Sequence, residues 1–349
     1  MKRILFSAAW IAALAVSCSR PGGADLPASG EGRTCEVLVS IQDTPGTRAV
    51  GTTYADEARV NSLQVFVFNG EDREAYRHAG AAMQALIPAT TGERTVWAVV
   101  NAPDLSSVET ISGLLSAVSR LSDNVRTDGD GTHLDSFVMT GSTTQELVDG
   151  GTVPVSVRRI VARVSIARIS TDLKDYRKDY QVRVKALYLI NVAADSRYDA
   201  GGEAGGWLNR LGHSDAALDP LLYDGLADVV IRNGEPYTVE HAFYPYPNIH
   251  PTPAESAEPV YDDQWNPRGT ILVIEASMYE GDGQTLVKSG YYPIVLPAIQ
   301  RNKTYVIEEV CITRLPGDVP YRPIETGESQ VTVSVSDWEV GLNLGTVTI

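Results

Sequence analysis

Short runs in which apolar and polar residues alternate recur along the chain, and they constrain the fold more than any other feature. The first run covers residues 35–41, where Cys35, Val37, Val39 and Ile41 share one face of an extended segment. A second run, residues 63–68, ends at Asn69-Gly70, a pair that favours a tight turn. Regularly spaced runs of this length predict an all-β protein built of β-sandwiches.

The other candidate strands are also rich in β-branched and aromatic residues and are separated by turn residues. They cover residues 94–100, 153–157, 160–169, 182–192, 237–243, 271–278, 291–296, 304–312 and 331–340. One short helix is predicted after the cap sequence of residues 106–109, because apolar residues follow at helical spacing. Those residues are Ile111, Leu114, Leu115, Val118 and Leu121.

The first residues of the sequence predict an exported lipoprotein. Lys2 and Arg3 precede an uncharged run, residues 4–16, which is shorter than the roughly 20 residues that span a bilayer. The end of this run and the two residues after it, residues 14–18, resemble a lipobox, in which the thiol of the last residue, Cys18, receives a diacylglycerol. We therefore expect residues 1–18 to be a lipoprotein signal peptide with Cys18 as the lipidation site. An ordinary signal peptide with a chance cysteine is the alternative.

Length and charge limit the domain number and the partners. A chain of 349 residues suggests about two domains, and the charged stretch of residues 172–179 is the predicted boundary between them. The formal charge of −15 argues against nucleic acid, which needs clustered Lys and Arg, and fits a solvated surface outside the cell. Residues 19–34 are rich in Pro, Gly and Ser and predict a flexible tether.

No catalytic motif appears in the sequence, so we predict no enzyme, no cofactor and no metal. The five histidines are scattered, and no nucleophile or phosphate-binding motif is present. Residues 128–135 hold alternating Asp and Gly, for which an ordinary turn is favoured over a calcium loop. Residues 244–253 combine aromatic residues with Pro, and a stiff packed loop is favoured over a sugar-binding surface.

Two further segments carry functional information. Arg48 and Ala49 lie in a loop-like segment directly after the first candidate strand, and exposed loops of small residues are where proteases cut. A lone Arg in a loop is more often simply solvated. At the C-terminal end, an apolar strand is either an edge strand of its own domain or pairs with a neighbouring subunit by strand addition.

Taken in order, these segments resemble the major fimbrial subunit family of type V pili, the lipoprotein-derived pilins of Bacteroidia. The resemblance covers nearly the whole chain and begins with the lipoprotein signal and the first strand. Its later segments are residues 47–49, 63–70, 94–102, 137–141, 158–164, 301–305 and 331–338. The resemblance implies two transthyretin-like β-sandwich domains. Residues 1–18 are then the signal, 19–48 a propeptide with tether and removable strand, 49–174 the N-terminal domain and 175–349 the C-terminal domain.

The resemblance also implies how the chain matures and assembles. The lipidated precursor would be transferred to the cell surface and held at the outer membrane by its lipid, and an Arg-specific surface protease would cut the Arg48–Ala49 bond. Release of residues 35–41 would open a groove for a strand donated by another copy or a related pilin subunit. The donated strand would lie within residues 330–349. Its predicted residues are Val331, Val333, Val335, Trp338, Val340, Leu342, Leu344, Val347 and Ile349.

The functional prediction is therefore a structural pilin subunit of surface fimbriae. Whether it belongs to the shaft, the tip or an accessory position stays open, as does a host ligand. The alternative is a monomeric surface lipoprotein, an adhesin that binds a host or glycan ligand and does not polymerise. We also predict that Cys35 is reduced or unpaired, because a bridge to Cys311 would block release of the first strand.

Overall fold

The computed structural model describes residues 32–43, 57, 59–128, 131–134, 136–212, 217–239, 241–251, 264–322, 333–338 and 346–348. Strands make up most of these residues, and they include one short α-helix. No helix in these ranges is long and apolar enough to cross a bilayer. The predicted all-β class with one short helix is confirmed.

Ten strands of the described chain lie before residue 160. They are β1 Thr34–Asp43, β2 Leu63–Asn69, β3 Asp72–Ala79, β4 Gln84–Thr90, β5 Gly92–Val100, β6 Val118–Arg120, β7 Arg126–Asp128, β8 Gly131–His133, β9 Met139–Leu147 and β10 Thr152–Arg159. Seven of them pair in the order β3-β2-β5-β9-β10-β1-β4. β10 pairs with β1 through residues 152–157 and with β9 through Arg158 and Arg159. It therefore connects the two layers of a sandwich.

The inward faces of these two layers form the first apolar core. Each strand contributes mainly every second residue, because successive side chains of a strand point to opposite faces. The buried members are Cys35, Val37, Val39, Ile41, Leu63, Val65, Val67, Ala85, Ile87, Ala89, Val96, Ala98, Val100, Met139, Leu147, Val153, Val155 and Val157.

Gly141 of β9 lies where β10 crosses between the layers. A Cβ atom on Gly141 would lie 1.9 Å from the carbonyl oxygen of Ser156 and 2.8 Å from its carbonyl carbon. Both atoms belong to the backbone, so they cannot move aside as a flexible side chain can. Glycine is therefore required for the close approach of these two strands.

Gly141→Ala is expected to lower the free energy of unfolding by about 3 kcal/mol, since an added methyl group forces backbone shifts in a packed interior. Gly80→Ala is the matched control, because a Cβ at Gly80 would meet nothing within 4 Å. Its effect is expected to stay within about 0.5 kcal/mol. Urea denaturation of both variants measures the difference, and equal stabilities would contradict the close crossing at Gly141.

Thirteen strands of the described chain follow residue 160, and they form a second sandwich with small appended ribbons. They are β11 Arg163–Thr171, β12 Gln181–Ile190, β13 Val192–Ala193, β14 Asp195–Arg197, β15 Trp207–Leu208, β16 Tyr223–Ile231, β17 Tyr237–Thr238, β18 Ala242–Phe243, β19 Ile271–Tyr279, β20 Leu286–Val295, β21 Lys303–Ile312, β22 Ser334–Asp337 and β23 Thr346–Thr348. One sheet has the order β17-β11-β21-β22, with β18 also on β11 and β23 also on β21. The facing sheet has the order β16-β12-β19-β20.

The second apolar core extends from this sandwich onto the outer face of the first. Phe66 and Phe68 of β2 point away from the first core and join the second. They belong to one buried cluster with Leu114 and, further along the chain, with Tyr292 and Ile307. β2 is consequently buried on both faces, and residues of both sandwiches contribute to the second core.

The helix is present but shorter than predicted. α1 spans Ile111–Ser116, and its N-cap is Thr110, whose Oγ1 accepts a hydrogen bond from the Gly113 N–H at 3.0 Å. The predicted cap at residues 106–109 and the helical continuation to Leu121 are wrong. Val118 instead begins β6, which pairs with β14, and pairing between strands far apart in sequence overrides the local helical spacing here. Within the described residues, 3₁₀ helices span Leu121–Asn124, Asp175–Arg177 and Pro220–Leu222.

The predicted division of the chain between residues 174 and 175 stays a prediction. β11, residues 163–171, lies before that division but pairs in parallel with β21, for example through Ile166 and Ile307. β11 therefore belongs by hydrogen bonding to the second sandwich. Leu173, which follows it, is buried in the second core.

Candidate functional site

The predicted removable strand, residues 35–41, lies within β1 and is an interior strand of its sheet. On one side β1 pairs in parallel with β10, as in the register of Leu38 with Thr152. On the other side it pairs antiparallel with β4, as in the register of Val37 with Ile87. Removing β1 would leave unpaired backbone groups on both neighbours, an arrangement that promotes pairing with another chain.

One face of β1 is buried in the first core. Cys35, Val37, Val39 and Ile41 are each no more than 4% exposed. Burial of a Val or Ile side chain is worth about 1.5–3 kcal/mol, so this face contributes on the order of 5 kcal/mol or more. A chain without β1 would therefore expose an apolar groove that favours a replacement strand with the same alternation.

The N-terminal end of the β1 region is held by hydrogen bonds from loops. The Gly32 N–H donates to the Thr91 carbonyl at 3.0 Å, and the Thr91 N–H donates to the Arg33 carbonyl at 2.8 Å. The Glu36 N–H donates to Oδ1 of Asp149 at 3.0 Å. Release of β1 must therefore break this network as well as two sheet ladders, which gives the intact chain a barrier against losing the strand.

Cys35 and Cys311 are free thiols. Cys35 packs in the first core, whereas Cys311 in β21 is half-buried. Burial raises the pKa of both thiols, and the carboxylates of Asp149 and Glu74 raise the pKa of Cys35 further. Both cysteines are therefore held in the less reactive, protonated form.

The predicted lipidation and cleavage residues, Cys18, Arg48 and Ala49, lie outside the described residues. Asp43 ends β1 before Arg48, and Glu57 is the first described residue after it. Arg33 is an exposed basic residue on the other side of β1. A cut after Arg33 would leave β1 attached to the chain, whereas a cut after Arg48 would separate it.

The two described C-terminal strands pair with their own chain along one edge of β21. β22 is antiparallel to β21, with Val335 opposite Tyr305, and β23 is parallel to it, with Val347 opposite Val310. Of the two alternatives for this end, the edge strand in its own domain is therefore the arrangement seen. Donation to another subunit stays a prediction.

The predicted donor residues do not share one environment. Val333 packs against the second core, and Trp338 is only 8% exposed, whereas Val335 is 46% exposed. Val347 is described as part of β23. The remaining predicted donor residues lie outside the described chain, namely Val331, Val340, Leu342, Leu344 and Ile349.

Trp338 is enclosed by residues of both sandwiches. Its ring stacks on Tyr244 with centroids 5.8 Å apart and meets the edge of Phe137 at 6.1 Å. The Arg159 guanidinium lies over the same ring at 5.0 Å. The Trp338 N–H donates to the Asn302 carbonyl at 3.1 Å. These contacts fix the chain at the point where β22 ends.

Glu57 binds the same cluster from the other end of the chain. Its carboxylate accepts hydrogen bonds from the Tyr244 hydroxyl at 2.8 Å and from Nε1 of Trp338 at 3.1 Å. It also forms an ion pair with Nε of Arg163 at 3.3 Å, and its carbonyl accepts from Nε of Arg159 at 2.9 Å. Burial, and then the Glu57 charge, raises the pKa of Tyr244.

Trp338, Glu57 and the residues that contact them form a junction between the two sandwiches. The turn before β21 also belongs to this junction. Asn302 has a left-handed φ of 54°, and its side chain accepts a hydrogen bond from the Arg159 N–H at 3.2 Å. The Arg301 guanidinium donates to Oγ1 of Thr140 at 2.9 Å and to the Arg158 carbonyl at 2.8 Å. Burial lowers the pKa of Arg301 to about 10. The sequence segments around residues 140, 159 and 301 are therefore neighbours in space.

The structure describes parts of the two other candidate segments. Tyr244 and Tyr246 are buried, which confirms a packed loop for this part of residues 244–253, although Ile249 is 75% exposed. β7 and β8 pair as a hairpin around the Asp-Gly segment that begins at Asp128. Within the described ranges no group of three or more His, Cys, Asp or Glu could hold a metal ion.

Comparison with known proteins gives a family match and a shared fold. The family described as major fimbrial subunit protein (FimA) matches residues 36–166. No curated protein matches the sequence. Among solved structures, a candidate cell adhesion protein from Bacteroides eggerthii is 20% identical, with a TM-score of 0.64, and the alignment covers 92% of this chain and 99% of that one.

Two solved fimbrial proteins of Porphyromonas gingivalis share the same fold. Its fimbrilin is 18% identical with a TM-score of 0.61, over 90% of this chain and 97% of that one. Its C-terminally truncated tip protein Mfa3 is 15% identical with a TM-score of 0.50, over 88% of this chain and 100% of that one. The match over residues 36–166 and the fold shared along the chain confirm the resemblance of this chain to the Bacteroidia major fimbrial subunit family.

Proposed function

We propose that this chain is a structural pilin subunit that polymerises by strand exchange after proteolytic removal of β1. The family match supports a fimbrial subunit. The observation that carries the mechanism is the position of β1, an interior strand with a buried apolar face that directly precedes the segment containing Arg48. A single cut in that segment separates the strand from the rest of the sandwich.

Strand replacement is physically reasonable because a strand fills the same groove in the precursor and in the polymer. In the precursor, β1 fills it and pairs with β10 and β4. After the cut, a C-terminal segment of another subunit would supply backbone hydrogen bonds and alternating apolar side chains in its place. Repeated head-to-tail contacts of this kind extend into a filament instead of closing into a ring.

The proposal assigns successive locations and partners to the chain. Cys18 carries the lipid that holds the precursor at the outer membrane, and an Arg-specific surface protease cuts the Arg48–Ala49 bond. The mature subunit then joins further copies or related pilin subunits in surface fimbriae. Its role is structural and not catalytic, in either a shaft or a tip or accessory position.

The experiment compares cleavage at two arginines that flank β1. The chain beginning at Ser19 is incubated with an Arg-specific protease, and its products are followed by mass spectrometry and native electrophoresis. We expect a stable species beginning at Ala49 and, with time, a ladder of oligomers. Arg48→Ala should abolish both, whereas Arg33→Ala, the matched control, should leave both unchanged because Arg33 lies before β1.

The opposite result would favour the monomeric adhesin. If the species beginning at Ala49 forms but stays monomeric, and deletion of residues 342–349 changes nothing, strand exchange is wrong for this chain. If Arg48→Ala and Arg33→Ala oligomerise equally, cleavage at Arg48 is not the trigger.

A further inference from the structure

The junction around Glu57 connects two segments that the proposed mechanism treats separately. Glu57 lies nine residues beyond Arg48, in the segment that would begin the mature chain. Trp338 directly follows β22, in the region predicted to be donated. The hydrogen bond from Nε1 of Trp338 to Glu57 at 3.1 Å joins these two segments within one subunit.

Several contacts within its own subunit hold Trp338 in place. Phe137 and Tyr244 contact its ring, and Arg159 lies above it at 5.0 Å. Glu57 is itself fixed by Tyr244 and Arg163 and is one-fifth exposed, so its bond to Trp338 is shielded from water. Hydrogen bonds to charged groups in such surroundings are stronger than those between neutral groups.

β22 and β23 differ in how they are held on β21. β22 pairs over four residues, carries an ion pair between Asp337 and Lys303, and continues into the enclosed Trp338. β23 pairs over three residues in parallel register, from Glu309 to Cys311 of β21. Parallel pairing is slightly less stable per residue than antiparallel pairing. β23 is therefore the more readily released of the two strands.

We propose that Trp338, held by Glu57, is a fixed pivot of the C-terminal segment. The chain up to Trp338, including β22, stays on its own subunit, and the donated segment consists of residues 339–349, including β23. Glu57 is then a positioning residue that acts through Trp338 and sets where the donated segment leaves the subunit. This inference rests on the proposed strand-exchange function and specifies which residues are exchanged.

Two disulfides that tie either strand to β21 test the pivot. The first, the β22 tie, combines Lys303→Cys and Asp337→Cys, which lie directly opposite one another, with Cys311→Ser to remove the competing thiol. The second, the β23 tie, is Thr348→Cys, which lies opposite the native Cys311. Opposed positions on paired strands have the Cα separation that a disulfide needs. Oxidation at mildly alkaline pH is appropriate, because burial raises the pKa of Cys311.

Each tied chain, beginning at Ser19, is cut with the Arg-specific protease and followed by native electrophoresis with and without reductant. The β22 tie should oligomerise like the unmodified chain under both conditions. The β23 tie should stay monomeric when oxidised and oligomerise after reduction. The pivot would be overturned if the oxidised β22 tie failed to oligomerise and reductant restored its oligomerisation. Oligomers from the oxidised β23 tie would overturn it as well. Failure of the unmodified chain to oligomerise would instead reject the proposed function itself.

Glu57→Gln tests the positioning role separately, since it keeps the size of the side chain and removes the charge opposite Arg163. Amide hydrogen exchange in β22, Ser334–Asp337, should become faster, whereas exchange in β1 should not change. Unchanged exchange in β22 would show that Glu57 does not hold Trp338 in place.

Discussion

Val39→Asp is expected to prevent stable folding of the uncut precursor, with a loss of roughly 4 kcal/mol or more in the free energy of unfolding. Val39 is 0% exposed at the centre of β1, between β10 and β4. A carboxylate there would either lie uncompensated in the apolar core or require protonation, and both carry a large cost. Since domains of this kind are stable by only about 5–15 kcal/mol, one such change is severe.

Gln42→Asp is the matched control on the same strand, because Gln42 is exposed on the opposite face from the core. Its expected effect is within about 0.5 kcal/mol. Urea denaturation of the two variants, each beginning at Ser19, gives the comparison. Equal losses would show that β1 does not present one face to the core, and the groove on which strand exchange depends would then not exist.

The predictable elements are those in which the local sequence pattern matches the burial or turn seen in the structure. Cys35, Val37, Val39 and Ile41 recur at every second position, and the structure places this apolar face in the core as part of β1. Asn69-Gly70 marks the turn between β2 and β3, where Gly70 has a φ of 62°. In both cases the information lies within a few consecutive residues, so no long-range contact is needed to interpret it.

The elements that were missed depend on distant partners. β16, Tyr223–Ile231, contains two Asp and a Gly, which are depleted in strands, yet it pairs with β12. The helical spacing beyond residue 116 is overridden when β6 pairs with β14. Polar or short segments become strands here because a neighbouring strand completes their hydrogen bonds, and one sequence does not reveal that neighbour.

Glu57 was not predictable for the same reason. It is separated by 187 residues from Tyr244 and by 281 residues from Trp338, both of which donate hydrogen bonds to it. The resemblance did single out residues 158–164, 301–305 and 331–338, and the structure brings Arg159, Asn302 and Trp338, one residue from each, to this junction. Their order along the chain gave no sign that one carboxylate would join them.

Release of β1 is expected to increase the reactivity of the Cys35 thiol by about a hundredfold or more. Cys35 is 2% exposed in the precursor, and burial raises its pKa, so a thiol reagent reaches it only when the strand opens. In a released peptide the thiol is solvated and returns towards its ordinary pKa near 8.5. A chain that begins at Ser19 and carries Cys311→Ser keeps Cys35 as its only cysteine.

The reaction of this chain with a coloured disulfide reagent is followed before and after the Arg-specific cut. If cleavage and strand exchange are coupled, Cys35 should become reactive at the rate at which oligomers form and more slowly than the Arg48–Ala49 bond is cut, because both sheet ladders of β1 must open. Arg48→Ala should keep Cys35 unreactive throughout. Fast reaction in the uncut chain would show that β1 opens without cleavage. Oligomers in which Cys35 stays protected would show that β1 remains in its groove, and that the subunits join in some other way.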